Sequence, residues 1–149
     1  MHPNHPILNF RLVSPLLATG GQPTAEQFRA LAADGCRAVV NLHVNDPRWA
    51  LPAEESLLAE LGIAYHHVPV LFDAPTPEDH ARFVDVMRSL ADVPTLVHCV
   101  LNYRVSVFTA LYGERCLGWS REEADAFVTG VWHPDGAWPP FIARIRESA

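Results

Sequence analysis

The spacing of apolar positions divides the chain into elements. Leu8–Val13 reads as a short strand, with Gly20-Gly21 as a turn. Thr24-Ala25-Glu26-Gln27 is a capping box, and the helix it opens carries Phe28, Leu31 and Ala32 on one face before Gly35 closes it. Arg37–Leu42 is a β-branched run that predicts a buried strand, followed by a loop over His43–Pro52. Ala53–Leu61 reads as a helix ending at Gly62, Ile63–Val70 as the next strand and Leu71–Pro75 as the loop after it. Thr76 caps a helix with Pro77 at its first position and an apolar stripe of Phe83, Val86, Met87 and Leu90. Thr95–His98 is a short strand that ends directly at Cys99. A helix then runs from about Arg104 to Leu117, stopped by Gly118. Ser120-Arg121-Glu122-Glu123 is another capping box, opening a helix to about Val128, and a last helix covers about Pro139–Arg146.

Strands alternate with helices three times, which predicts an α/β fold: a parallel sheet with helices on both faces. Ligands of such sheets bind at the carboxyl ends of the strands. Three loops should meet there, one after Leu42 with His43, one after Val70 with Asp73, and one after His98 with Cys99.

The chain has 149 residues, which suits one domain over 1–149. Its net charge of -6 argues against a nucleic-acid or anionic-membrane partner, and all eleven basic residues are Arg. No apolar run approaches the roughly 20 residues that span a bilayer. The N-terminus has no basic-then-apolar signal pattern, so a reducing cytoplasm is the expected location. Three cysteines without tight spacing predict neither a disulfide framework nor a zinc site. Cys36 and Cys116 read as packing residues. His66 and His67 are consecutive in a strand and point to opposite faces, a poor arrangement for metal ligands. Neither a metal nor another cofactor is expected.

The chemistry concentrates in Val97-His98-Cys99-Val100-Leu101-Asn102-Tyr103-Arg104-Val105-Ser106. A strand that turns straight into a helix aims backbone N–H groups into a concavity at a helix N-terminus. That setting, with Arg104 beside it, stabilises Cys99 as a thiolate. An anion would occupy the same cradle, its oxygens gripped by Arg104 and by the amides of Val100, Leu101, Asn102 and Tyr103. Asn102 sits mid-turn, where a left-handed backbone is tolerated. Ser106 is close enough to give a hydrogen bond to the sulfur, and His98 to brace the loop.

The segment resembles the phosphate-binding loop of the protein tyrosine and dual-specificity phosphatases, His-Cys-x-x-Gly-x-x-Arg-Ser/Thr. Gly20-Gly21-Gln22-Pro23-Thr24, with the helix and Ala38–Leu42 after it, is similar to the opening of small bacterial members. Val68-Pro69-Val70 with Asp73 and Pro75 is similar to their general-acid loop. The likeness runs from about Asn9 to Ile142. Four residues separate Cys99 from Arg104 where the family has five, and Asn102 stands where it has Gly. This resembles a subgroup of bacterial phosphatase-like proteins with a shortened Cys-x4-Arg loop. One residue on a helix is a rotation of about 100°, so the shorter loop aims Arg104 differently.

The resemblance implies a dual-specificity-phosphatase-like three-layer fold and a cysteine-dependent phosphatase acting on a phosphorylated protein or small molecule. Cys99 would be the nucleophile, Arg104 the anion clamp and Asp73 the general acid. The resemblance to short-loop relatives implies an acid nearer Pro69, where this chain has Leu71, so Asp73 is displaced from it or only partly equivalent. Asp79 is a fallback whose position suits capping instead. His43 is a possible substrate contact or a surface histidine. Tyr103 could stack beside substrate or pack on the sheet. Trp132, Trp138 and Phe141 read as packing for the last helices. A six-residue loop is also what rhodanese sulfurtransferases carry, so a Cys99 persulfide is the alternative. A third reading is a phosphate-binding pseudophosphatase without turnover.

Overall fold

Three four-residue strands are buried at every position: β2 (Leu17–Gly20), β3 (Ala38–Asn41) and β5 (Thr95–His98). Strands covered on both faces lack a polar side, and these form the middle of a five-stranded sheet of order β1-β2-β5-β3-β4. The computed structural model describes residues 1–148. β4 (Ala64–His67) pairs parallel with β3, β3 with β5, and β5 with β2. β1 (Arg11–Ser14) closes the edge antiparallel to β2.

Alternation along the strands supplies two cores. Ala18, Val39 and Leu96 join Phe28 and Leu31 of α1 (Ala25–Ala33) and Leu58 of α2 (Glu54–Glu60) on one face. Leu17, Val40 and Val97 face the other way, onto α3 (Pro77–Ser89), α4 (Tyr103–Cys116), α5 (Arg121–Thr129) and α6 (Trp138–Glu147). The result is the expected three-layer α/β arrangement. Phe83 and Phe108 are fully buried in the thicker layer, each worth about 1.5–3 kcal/mol of transfer free energy. Trp132, Trp138 and Phe141 join them there, as expected.

Thr24, Thr76 and Ser120 each make both bonds of a capping box, at α1, α3 and α5. Asp79 is the reciprocal partner of Thr76, so its carboxylate serves the helix start. The first strand departs from expectation. In place of one strand over Leu8–Val13 the chain forms a hairpin, and Gly20 ends a central strand instead of making a turn. Ala18, Thr19 and Gly20 are too small to give a periodic apolar signal. Gly20 is needed for fit, because a Cβ there would lie 2.9 Å from Ile7 Cγ2.

Candidate active site

The carboxyl ends of β2, β3, β4 and β5 share one edge of the sheet, and the segments leaving them surround a cavity of about 780 Å³. From β2 comes Gln22, from β3 His43 and Val44, from beyond β4 Phe72 and Asp73, and from β5 the loop residues Cys99, Val100 and Leu101. Tyr103 and Arg104, the first residues of α4, complete the wall.

The loop is held from outside by its carbonyls. His98 Nδ1 donates to Cys99 O at 3.0 Å, the Gln22 amide to Val100 O at 2.9 Å, and Asn9 Nδ2 to Leu101 O at 2.9 Å. A trans peptide points its N–H opposite to its C=O. The N–H groups of Val100 and Leu101 therefore point away from these anchors, and neither pairs with another group among the described residues. Asn102 takes the left-handed conformation expected of it, φ 68°. Its Nδ2 donates to Asn9 O at 2.8 Å and Thr19 Oγ1 at 3.1 Å, fixing the turn to the hairpin. Gly21 lies against this turn, and a Cβ there would meet Val100 O at 2.4 Å. Unlike α1, α3 and α5, α4 has no side-chain cap, so its first-turn N–H groups are open to an anion.

Cys99 lines the cavity with only 1% of its surface exposed. Arg104 reaches the same cavity despite the shortened loop, and its side chain is buried. Its Nη1 donates to Val70 O at 2.9 Å, and its guanidinium lies 5.9 Å from the centre of the Phe72 ring. Asp73 sits exposed at the rim. Its loop is tied down by Trp138, whose Nε1 donates to Phe72 O at 2.9 Å. Tyr103 packs flat on Trp132, ring centres 4.6 Å apart, while still lining the cavity.

Two residues differ from expectation. Ser106 Oγ donates to Tyr103 O at 2.8 Å and accepts from Trp132 Nε1 at 3.0 Å, so its one proton is not on the sulfur. The helix turns position 106 toward α5 and Trp132 instead of the loop. His43 is not a surface histidine: it is 2% exposed, on the cavity wall, with Nδ1 buried and unpartnered. Burial, reinforced by the Arg104 charge, pushes its pKa down from 6.5 to about 4 and keeps the ring neutral. His67, on the neighbouring strand, donates to the His43 carbonyl at 2.6 Å.

Glu54, Gln22, Phe72 and Trp49 belong to this region and were not legible as site residues. Glu54 Oε2 meets His98 Nε2 at 2.7 Å inside the protein. Gln22 Nε2 donates to Glu54 Oε1 at 2.7 Å. The signal for Gln22 lay in its Gly-Gln-Pro-Thr setting, whereas a glutamate in a helical first turn reads as solvent-facing. Leu8, Val44, Trp49, Phe72 and Leu101 are exposed apolar residues around the cavity, so its mouth is greasy.

Comparison with known proteins shows the family and the fold. Residues 11–112 match the family described as DSP-PTPase phosphatase fused to NAD+ kinase. The β-lactamase hydrolase-like protein of Xylella fastidiosa is 31% identical over 104 residues, covering 66% of this chain and 23% of that protein. The chain thus spans about a quarter of the length of that relative. A DUF442 candidate phosphatase of Shewanella putrefaciens superposes with a TM-score of 0.86 at 27% identity, over 95% of this chain and 91% of the other. The catalytic core of the PP-IP phosphatase SIW14 from Saccharomyces cerevisiae shares the fold at a TM-score of 0.77 and 17% identity, over 97% and 92%. No helix among the described residues is long and apolar enough to cross a membrane. On the match that covers 11–112, the chain belongs to the DSP-type PTPase phosphatase family.

Proposed function

We propose that the chain hydrolyses a phosphate monoester through a phosphocysteine intermediate. Support comes above all from one observation: Cys99, Arg104 and Asp73 line the same cavity. The Cys99 thiolate attacks phosphorus, the bond to the leaving oxygen breaks, and Asp73 supplies that oxygen's proton. Arg104 and the free amides of the loop neutralise the oxygens that gain charge. Water then attacks phosphorus, the P–S bond breaks and the sulfur leaves as thiolate, while the Asp73 carboxylate accepts the water's proton. His43, neutral and on the wall, is a hydrogen-bonding contact for substrate. Val100, Leu101, Asn102 and Tyr103 form the cradle, and His98 braces it.

The mouth favours one phosphate on an apolar or aromatic carrier. Arg48, the other guanidinium among the described lining residues, is paired with Asp46 at 2.6 Å, and that pairing holds Asp46 down to about 2. Arg104 is left as the cation for the substrate. Release of nitrophenol from p-nitrophenyl phosphate, abolished in Cys99→Ser, is the expected result. Thiocyanate formation from thiosulfate and cyanide would point to a persulfide enzyme instead. Vanadate binding with neither activity would leave a phosphate-binding protein.

A further inference from the structure

Both ring nitrogens of the fully buried His98 face hydrogen-bond acceptors. Nδ1 faces the Cys99 carbonyl at 3.0 Å and Nε2 faces the Glu54 carboxylate at 2.7 Å. A neutral imidazole has one N–H, so it can serve only one of them. The His98–Glu54 pair must therefore hold two protons. Gln22 Nε2 donates to the second carboxylate oxygen of Glu54 at 2.7 Å, a bond that is stronger to an ionised carboxylate, the arrangement in which both protons lie on His98. The pair then presents its positive end to Cys99 and its negative end to α2.

The backbone supports a dedicated role for Glu54. Ala53, which precedes it, adopts a left-handed conformation, φ 59°, and offers no side-chain cap. That conformation is unfavourable for alanine. First-turn carboxylates ordinarily face solvent; Glu54 turns inward and is 7% exposed.

We infer that Glu54 is a positioning residue for the cysteine loop: it keeps His98 doubly protonated, so that Nδ1–H pins the Cys99 carbonyl and a positive charge stays beside the sulfur. The inference deepens the phosphatase proposal but is measured independently of turnover. The other groups around His98 are consistent with it. Phe28 from α1 covers the ring edge-on at 5.9 Å, and His43 from the end of β3 is neutral. Asp46 is bound to Arg48. Arg104 on α4 is held by the Val70 carbonyl. Glu54 is thus the carboxylate in contact with His98.

The test uses ¹⁵N-histidine-labelled protein and alkylation of Cys99 by iodoacetamide at neutral pH. Two ring N–H signals are expected for His98 in the native chain, and one in Glu54→Gln. Glu54→Gln should alkylate Cys99 about tenfold more slowly. Glu54→Asp, which keeps the charge, should recover most of that rate. A singly protonated His98 in the native protein overturns the inference whether or not the variants fold. So does a folded Glu54→Gln that alkylates at the native rate. If the native chain hydrolyses no aryl phosphate yet passes both measurements, the phosphatase proposal falls and the role of Glu54 stands.

Discussion

Arg104 works through its shape as well as its charge. One nitrogen is committed to the Val70 carbonyl, and the flat guanidinium lies against Phe72. Lysine can neither fork nor stack in this way. Arg104→Lys is expected to lower kcat/KM toward p-nitrophenyl phosphate by about 100-fold, a size typical of losing one oxyanion donor. Gly21→Ala tests the loop from outside. Its new Cβ would displace Val100, so activity should fall while chemical denaturation shows a stability loss of about 1–3 kcal/mol. Asp73→Asn is expected to remove the limb of the pH–rate profile that reports the acid; an unchanged profile would send the search to another proton donor. Cys99 and Arg104 were legible because their spacing and the strand-to-helix turn lie within a few consecutive residues. Glu54 was not: its contact with His98 spans 44 positions and exists only after α2 docks. Ser106 misled for the converse reason, since nearness in sequence says nothing of where a helix turns a hydroxyl.

Elements were legible where local chemistry defines their ends. Thr24, Thr76 and Ser120 start helices by side-chain hydrogen bonds to the residue three ahead, and all three do so. β2 escaped notice because its place is set by neighbours: β5 on one side, β1 on the other, and Ile7 close over Gly20. At this scale α6 acts on the site at a distance. Trp138 is fully buried in the core while its Nε1 holds the Phe72 carbonyl beside Asp73. Trp138→Phe keeps the packing type but frees that carbonyl. The expected outcome is a loss of about 2 kcal/mol in urea unfolding, together with a drop in kcat that exceeds the change in KM.

For the whole molecule, burial of histidines sets the response to acid. His80 lies between α3 and α4, donates to the Phe108 carbonyl at 3.2 Å, and is pushed by burial from 6.5 down to about 4. His43 is shifted the same way. The unfolded chain therefore takes up protons first as pH falls. The contribution of these two histidines is fully present above 6.5, is lost as pH drops toward 4 and changes no further below it. His80 alone accounts for about 3 kcal/mol across that window. Urea midpoints at pH 7 and pH 5 should show the decline, and His80→Gln should flatten it.

Two indoles also give the cavity an optical readout. Trp49 stands at its mouth, and Trp132 is stacked on Tyr103 in its wall. Occupancy by an oxyanion would alter the surroundings of both, so titration with vanadate should change the intrinsic fluorescence. Affinity can then be measured on unlabelled protein, including variants too slow to assay.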